Sequence, residues 1–478
     1  MSTNVNSGFY CNGTFPIDSK LIMSASEMKA IDCDDPFFCI CSDNGNMYAY
    51  DKSHDEDPVY GKFIKTPKLS ITPLVYSMHI DGTVSNSYNA VTYTGTNKAY
   101  TPVSINSSGV FSYGSWKDNE FFIPRPCMLK FDGTVDYYLN PNNYKQKEDG
   151  SRSDVANINY AGNAMMEWGR GNGERIWIKC VPDSSDIRKA DIYISNVQMD
   201  EDYHAFSFIG PDGVTMKDHF YTPIYVGSKD SKGRMRSISG ASIFNYSSHD
   251  DEIGAVNKLI ADSGVDGYNI ETFGDRCLIS LLTILITKTI SPKSVFGAGR
   301  VGSSESHLAK NGECDEKGMF FAKVSTSSGV GLLKVFGMEN LWGNVWRRGV
   351  GNGMSSNTNA FKYKMCYGTT DGSTETEYDS KFNGFINTNW GFSGSSGGYC
   401  EKLYYTSAGA MIAISSTYNA SQTTYYGFIY YCDPYPSKDQ GGCFGSCLLD
   451  GDKSNVCSVL YTPLDREEYY IAAALSYR

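Results

Sequence analysis

The sequence lacks the features that mark several large classes of protein. It contains no run of basic residues, and its formal net charge is −11. Because a nucleic-acid protein needs a basic surface to meet the phosphates, this balance argues against nucleic acid as a partner. The longest apolar stretch, Cys277 to Ile286, is much shorter than a membrane span. The polar start of the chain has no signal-peptide core, so we expect synthesis in a cytoplasm and no membrane insertion.

Motifs for metal binding and catalysis are also missing. The 14 Cys form no C-x-x-C pair, and the six His are dispersed without the spacing of a metal site. We therefore expect no metal ion and no cofactor. Cys443, Cys447 and Cys457 lie close together in sequence, which predicts packed thiols or a late disulfide. A nucleophilic role for Cys443 or Cys447 is the less favoured alternative.

A glycine-rich loop, Gly169 to Gly173, lacks the Gly-Lys-Ser/Thr that a phosphate loop requires. It lies between Trp168 and Trp177, and we expect a hairpin turn there. Carboxylate pairs such as Glu467 and Glu468 are plentiful, but a glycosidase needs two carboxylates across a cleft. The sequence therefore predicts no catalytic residues.

What the chain has in abundance is aromatic residues and glycine. Aromatics make up 14% of the residues, with 35 Tyr and 48 Gly, whereas only 20% are charged. This composition favours short strands and ordered loops over helical bundles. At 478 residues the chain exceeds one small core. We predict a β-rich α+β protein with more than one unit.

Residues 1–60 have the pattern of a small module. A helix is predicted from Ser24 to Asp32 behind a Ser cap. Strands at 37–41 and 47–50 flank Asn44-Gly45, which predicts a tight hairpin turn. Nothing in the module indicates catalysis, so a docking role is expected.

Residues 61–118 are rich in Ser, Thr, Asn and Gly, and they predict a β-rich connector. The remainder, 119–478, is predicted to form one large domain with twisted antiparallel sheets and two helices. The helices are expected at 251–261, which ends before Gly264, and at 275–288, which is apolar nearly all round.

The segment Trp342-Gly-Asn-Val-Trp346 is the strongest local signal. Gly343 allows a turn that other residues resist, and Asn344 is expected to hydrogen-bond its own backbone. Both indoles are expected to be buried. We interpret the segment as part of the core, with a catalytic site as the less favoured alternative.

This segment belongs to an ordered series of motifs. The series comprises Ile123-Pro-Arg, His204-Ala-Phe, Tyr221–Val226, Arg236–Gly240, Leu281–Lys288, Ser294–Arg300, Lys317–Phe321, Lys334–Trp346 and Tyr470–Ser476. The order resembles the C-type-lectin-like tip domains of bacteriophage virion proteins. It is also similar to the wider group that contains formylglycine-generating enzymes and retroelement-diversified tropism proteins. The resemblance covers about 119–478, and residues 1–60 resemble virion-docking modules more weakly.

The resemblance implies that Trp342, Gly343, Asn344 and Trp346 are a fold signature. It implies a ring pair packed beneath a platform of C-terminal strands, where loops bind ligand. The chain departs from the enzymes at Arg347-Arg348-Gly349, where they have an acidic residue and a Trp. Cys443 and Cys447 do not match the spacing of the active-site cysteines. The chain also lacks the motifs of calcium-dependent sugar-binding lectins.

A tyrosine-rich stretch supplies the candidate binding residues. Rigid amphipathic rings bind sugars or protein loops at low entropic cost, although about half of these rings should face the core. The candidates are Tyr404, Tyr405, Tyr418, Tyr425, Tyr426, Tyr430, Tyr431 and Tyr435.

We therefore expect a virion protein, either a tail-tip fibre or a head fibre on the capsid. It would attach to other virion proteins through its N-terminal module and bind a host-surface glycan or protein without catalysing a reaction. A homo-oligomer, dimer or trimer, would add avidity. Two alternatives remain. One is a formylglycine-generating-type oxidase that binds copper at Cys443 and Cys447 or Cys457, and the other is a decoration protein without a ligand.

Overall fold

The structure is a computed structural model. It describes residues 22–30, 38–41, 47–50, 53, 58–59, 61–65, 72–84, 86–106, 109–117, 120–171, 173–186, 188–300, 302–323, 331–354, 361–365, 383–386, 398–399, 402–414, 429–432 and 440–478. The chain divides into two compact units, Met1–Thr72 and Pro73–Arg478. Among the helices within these ranges, none has the length and apolarity needed to cross a bilayer.

The first unit contains a short helix and a four-stranded sheet. Its elements are β1 (Ile22–Met23), α1 (Ala25–Lys29), β2 (Phe38–Cys41), β3 (Met47–Tyr50) and β4 (Phe63–Lys65). The helix starts at a capping box, in which Ser24 and Glu27 each accept the other's backbone N–H. The strand order is β1-β2-β3-β4, and β1 runs parallel to β2. The helix start and both predicted strands are confirmed, and Asn44-Gly45 lies outside the described residues.

The second unit is built mainly from strands. In chain order they are β5 (Val75–Asp81), β6 (Val91–Gly95), β7 (Ser104–Ile105), β8 (Phe111–Ser112), β9 (Arg125–Lys130), β10 (Val135–Asn140), β11 (Asn143–Lys147), β12 (Gly162–Trp168), β13 (Trp177–Pro182), β14 (Lys189–Ser195), β15 (Phe220–Pro223), β16 (Ser228–Lys229), β17 (Met235–Arg236), β18 (Tyr268–Ile270), β19 (Phe321–Lys323), β20 (Leu332–Val335), β21 (Met338–Glu339), β22 (Trp346–Met354), β23 (Phe361–Lys364), β24 (Asn383–Ile386), β25 (Gly398–Tyr399), β26 (Lys402–Tyr405), β27 (Met411–Ile414), β28 (Ile429–Cys432), β29 (Gln440–Phe444), β30 (Val459–Pro463), β31 (Ile471–Ala473) and β32 (Leu475–Tyr477). The helices are α2 (His249–Ser263), α3 (Phe273–Thr287) and α4 (Lys293–Phe296).

Two large sheets dominate this unit. One has the order β11-β10-β9-β12-β15-β32-β18, with antiparallel pairing throughout. The other has the order β24-β23-β22-β29-β30-β28-β25, and β31 pairs in parallel with β22. Smaller sheets are β13-β14-β5-β6, β19-β20-β21, β16-β17, β26-β27 and β7-β8. The protein is therefore a β-rich α+β protein with mainly antiparallel sheets.

The range predicted as a connector, 61–118, does not stand apart in the structure. β4 belongs to the first unit, whereas β5 and β6 form one sheet with β13 and β14 in the second. Seven residues of β5 pair with β14, from Val75 opposite Ser195 to Asp81 opposite Lys189. The composition of this range supports a strand prediction, but it gives no sign that β5 pairs with β14, which follows more than a hundred residues later. The structure therefore places the division between Thr72 and Pro73.

The glycine-rich loop differs from its prediction as well. A tight turn is present, since Glu174 donates its backbone N–H to the Gly171 carbonyl at 2.9 Å. The strands beside it, β12 and β13, belong to different sheets, so the loop is not a hairpin. The indole of Trp168 at the end of β12 stacks inside the core on Phe220, its partner across the pairing of β12 with β15.

The two long helices confirm the sequence prediction, with slightly wider bounds. α2 begins at a capping box formed by Ser248 and Asp251 and ends at Gly264, whose φ is 71°. α3 begins behind Thr272 and is buried along its whole length, as its apolar composition requires. Its last helical turn ends at Lys288 in the left-handed region.

The C-terminal segment joins the two large sheets. β31 pairs with β22, and β32 then pairs with β15 and β18. Between them, Ala474 accepts the backbone N–H of Glu271 at 2.8 Å. The backbone of Glu271 also accepts from Val350 of β22 at 3.0 Å, so this residue lies between both sheets.

Two consecutive residues of β22, Arg347 and Arg348, have buried charged side chains on opposite faces of the sheet. Arg347 Nη1 lies 3.3 Å from Glu271 Oε1, and both side chains are buried. Arg348 Nε lies 2.8 Å from Glu252 Oε2 of α2, and both side chains are fully buried. Burial raises the pKa of the Glu252 carboxyl to about 7, against the lowering effect of Arg348. Neighbouring strand residues point to opposite faces, so the pair reaches two different helical regions.

Glu271→Gln should destabilise the second unit strongly. The carboxylate of Glu271 faces two buried cations, Arg347 at 3.3 Å and Arg276 at 3.8 Å. Neutralising it leaves both guanidinium groups without their anion, at a cost of about 3–5 kcal/mol. The matched control is Glu148→Gln, which removes an exposed partner of Arg125 and should cost less than about 1 kcal/mol. Urea unfolding measures the loss of unfolding free energy in each variant. Equal losses for Glu271→Gln and Glu148→Gln would contradict a stabilising role for the buried carboxylate of Glu271.

Candidate functional site

The two tryptophans of the signature segment lie in separate clusters. Trp342 is fully buried in the main core, where it meets Phe296 edge to face at 6.0 Å between ring centroids. Its indole N–H donates to the Gly297 carbonyl at 3.0 Å. Trp346 is 3% exposed and packs in a small cluster with the residues Cys443, Cys447, Leu460 and Ile471. Burial of both indoles is confirmed, but they do not form the expected ring pair.

The turn between the indoles depends on Gly343 and Asn344. Gly343 has a φ of 76°, and a Cβ there would lie 2.0 Å from the Ala298 carbonyl oxygen. Only glycine fits this position. The prediction that Asn344 bonds its own backbone is wrong, because its side chain is bound to a distant residue. It accepts from the Ala309 N–H at 2.8 Å and donates to the Ala309 carbonyl at 3.3 Å. The amide thereby ties a distant loop to the segment.

A cavity of about 180 Å³ opens beside Trp346. Its apolar wall consists of Trp346, Cys447, Leu460 and Ile471, which are all buried. The rest of the lining consists of the buried Thr462, the partly exposed Asp450, Arg466 and Tyr470, and the exposed Leu449. An apolar wall combined with a few polar groups is typical of a ligand pocket.

Three tyrosines continue from this cavity onto the surface, and we name Tyr246, Tyr469 and Tyr470 the aromatic face. The rings of Tyr470 and Tyr469 lie 5.1 Å apart, and those of Tyr469 and Tyr246 lie 6.3 Å apart. Tyr246 is 52% exposed and has a φ of 51°. A bulky residue in the left-handed region is an outlier, and such strain is a reason to suspect a function.

Backbone pairing holds the aromatic face in place. Asn245 bridges Ala472 of β31, and its side chain donates to the Tyr469 carbonyl at 2.9 Å. The Tyr246 N–H donates to the Glu468 carbonyl at 3.2 Å. Trp346 donates its own N–H to the Tyr470 carbonyl at 2.8 Å. The signature segment therefore supports the aromatic face from beneath.

The polar groups around this face are fixed and of mixed charge. Arg466 pairs with Glu468 at 2.8 Å, and the Tyr246 hydroxyl donates to Glu305 at 3.1 Å. Asp450 accepts the Cys447 N–H at 2.7 Å. Burial raises the pKa of the Tyr470 hydroxyl to about 12, so this group remains a neutral donor. Neutral hydroxyls and exposed rings suit non-covalent recognition.

The tyrosines predicted from sequence are placed only in part. Tyr405 is 1% exposed and belongs to the main core, and Tyr404 is half-buried against it. Tyr430 and Tyr431 belong to β28, whose backbone pairs with β30 and β25. The other candidates, Tyr418, Tyr425, Tyr426 and Tyr435, lie outside the described residues.

Sequence reasoning missed the aromatic face. Tyr470 is the first residue of the terminal motif and Tyr469 directly precedes it, so their position was a usable signal. The sequence contains no such signal for Tyr246, because its position beside Tyr469 depends on a pairing between segments more than two hundred residues apart.

The cysteines do not fit the copper site of the oxidase alternative. Cys443 and Cys447 do lie in one cluster, but both are buried against Trp346. Burial raises the pKa of Cys447 well above its usual range, which opposes the thiolate that a metal ligand requires. Cys457 lies elsewhere, beside Cys277 and Arg276. Among the described residues, no three His, Cys, Asp or Glu side chains are grouped to hold a metal ion.

Comparison with known proteins gives little sequence similarity. No protein-family model matches the chain, and no curated protein matches it. The solved structure of the Major Tropism Determinant M1 variant is 9% identical with a TM-score of 0.28, covering 95% of this chain and 97% of that one. The U1 variant is 8% identical with a TM-score of 0.27, covering 95% and 98%. At these TM-scores the likeness assigns neither a fold nor a function to this chain.

Gly343→Ala should destabilise the second unit by about 2–5 kcal/mol. The substitution adds a left-handed penalty of about 1–2 kcal/mol to the overpacking of its Cβ against Ala298. Gly213→Ala is the control, because Gly213 has a φ of 72° and its added methyl group would meet nothing within 4 Å. In thermal unfolding, the melting temperature of Gly343→Ala should fall further than that of Gly213→Ala. An equal fall would show that the contact between the added Cβ and Ala298 does not destabilise the unit.

Trp346→Ala should cost about 3–5 kcal/mol, as large core truncations do. The indole is buried and forms the wall of the cavity, so its loss enlarges an existing space. Tyr88→Ala, which removes a ring that is 48% exposed, should change the free energy of unfolding by less than about 0.5 kcal/mol. If Trp346→Ala kept its stability but lost ligand binding, its role would be recognition and not support.

Proposed function

We propose that this chain is a fibre component of a bacteriophage particle, located at the tail tip or on the capsid. The large unit would be a C-type-lectin-like domain that binds a host-surface glycan or protein without catalysing a reaction. Two things support the proposal, namely the ordered motifs of the sequence and the aromatic face of the structure. The observation that carries it is Tyr246, which is exposed and strained beside Tyr469 and Tyr470.

The aromatic face has the properties of a recognition surface. Tyr246 exposes half of its area although its backbone conformation is unfavourable for a tyrosine. Rings with few rotatable bonds lose little entropy on binding, and clustered aromatics often dominate the energy of an interface. The cavity next to Tyr470 would accept a compact apolar group of the ligand, while Arg466 and Asp450 would bind its polar groups.

The tyrosine-rich stretch is proposed as a further part of this surface. Tyr404 is half-buried and retains some exposed area, so it remains a candidate. Tyr405 is a core residue and would act only as support. Tyr418, Tyr425, Tyr426, Tyr430, Tyr431 and Tyr435 remain candidates from the sequence.

The rest of the proposal concerns assembly. The first unit would attach the chain to other virion proteins, and the fibre would be a dimer or trimer in the virion. Several copies raise the effective concentration of the second site after the first has bound, so weak single sites suffice. No nucleic acid is expected as a ligand, since the net charge is −11.

Binding of the labelled full chain to cells of the infected strain tests the proposal. Tyr246→Gly removes the ring and suits the left-handed backbone, so the melting temperature should be unchanged or raised while binding falls about tenfold. Tyr469→Ala should also weaken binding to the cells. Tyr88→Ala removes an equally exposed ring elsewhere and should leave binding unchanged.

Two results would contradict the proposal. If Tyr246→Gly and Tyr469→Ala bound cells as well as the unaltered chain, the aromatic face would have no role in recognition. If the well-folded chain bound no cells of the infected strain, a decoration protein without a ligand would be the better description.

A further inference from the structure

A second candidate site lies away from the aromatic face, in a polar groove. The groove has a volume of about 1010 Å³ and is formed by β11, the loop after it, and the segments at Ser239 and Asp315. We name it the β11 groove. We propose that the β11 groove binds a neutral oligosaccharide.

The floor of the groove is rigid. Asp315 accepts from the hydroxyl of Tyr225 and from Ser239 Oγ at 2.6 Å, so both of its carboxylate oxygens are occupied. Its backbone carbonyl accepts the Tyr144 N–H at 2.9 Å. Ser239 donates its own N–H to the Val155 carbonyl at 2.9 Å. Three distant segments are thereby fixed before any ligand arrives, which lowers the entropic cost of binding.

The walls provide hydrogen-bonding groups that the protein leaves open. Within the described residues, the side-chain NH₂ groups of Asn143 and Gln146 and the guanidinium of Arg152 have no protein partner. The side chain of Asn143 instead accepts from the Lys145 N–H at 3.1 Å, and that of Gln146 accepts from Asn140 at 3.5 Å. Their donors thus remain available to acceptors on a ligand.

The charges in the groove favour a neutral ligand. Two cations, Lys145 and Arg152, are set against the carboxylates of Asp154, Asp315 and Glu316. Lys145 also pairs with Glu316 at 3.3 Å. A polyanion would meet these carboxylates, and a cation would meet Arg152 and Lys145. Sugar hydroxyls both donate and accept, so they match a lining of mixed polarity.

The composition of the groove also argues against a peptide. Among the described residues that line it, Val155 and Ala156 are the only ones with aliphatic side chains, and Val155 is buried. Peptide grooves depend on apolar or aromatic pockets for anchoring side chains, and the part of the lining that the structure describes contains no aromatic ring. A volume of about 1010 Å³ is large enough for several sugar rings, and the polar lining would bind each of them by hydrogen bonds.

Affinity electrophoresis of the full chain tests the inference. The gels contain starch, dextran, laminarin or mannan as neutral polysaccharides, and alginate as an acidic one. We expect at least one neutral polysaccharide to retard the chain, and Gln146→Ala with Arg152→Ala to weaken that retardation at least threefold. The matched control is Asn159→Ala with Lys98→Ala, which removes one amide and one cation outside the groove and should leave the retardation unchanged.

The experiment separates this site from the aromatic face. Tyr246→Gly should leave the retardation unchanged, even if it abolishes binding to cells. The inference is wrong if no neutral polysaccharide retards the chain, if alginate alone does, or if the Gln146→Ala and Arg152→Ala changes have no effect.

Discussion

The fold depends on two adjacent arginines of β22 whose side chains point to opposite faces of the sheet. Arg348 meets Glu252 of α2, and Arg347 meets Glu271 immediately before α3. Isolated buried charges are very costly, so each arginine requires its carboxylate in one defined position. Because the arginines are neighbours on β22, both helical regions are positioned relative to a single strand. Packing of apolar side chains alone would allow more freedom in those positions.

This constraint extends to the surface. β22 pairs with β31, so the position of Arg347 and Arg348 also sets that of Ala472 and Ala473. Tyr469 and Tyr470, two of the three tyrosines of the aromatic face, directly precede β31. Buried charge and a buried indole therefore provide the rigid support, while we assign recognition to the exposed rings.

Local features of the sequence were sufficient for the local structure. The cap at Ser24, the end of α2 at Gly264, and the requirement for glycine at 343 were all evident from short patterns. The hydrogen-bond partner of the Asn344 side chain could not be predicted from the sequence, because Ala309 lies 35 residues away. A hydrogen bond to a distant backbone leaves no mark on the spacing of nearby residues.

The same limit applies to the site. The sequence indicated that the chain is rich in tyrosine, but exposure depends on tertiary packing, which buries Tyr405 and exposes Tyr246. Likewise, the sequence showed Arg347-Arg348 as a departure from the motif of formylglycine-generating enzymes, but it did not show the carboxylate partners of the two arginines. Only the folded chain brings Glu252 and Glu271 to opposite faces of the same strand.

Native-state hydrogen exchange tests the central claim most directly, namely that the start of β22 is the rigid support of this unit. The informative amides are those of Trp346, bonded to Tyr470, and Val350, bonded to Glu271. We predict that both exchange only through global unfolding, with the highest opening free energies in the unit. Exchange of these amides through local opening, at a free energy no higher than that of the Tyr246 loop, would contradict the claim.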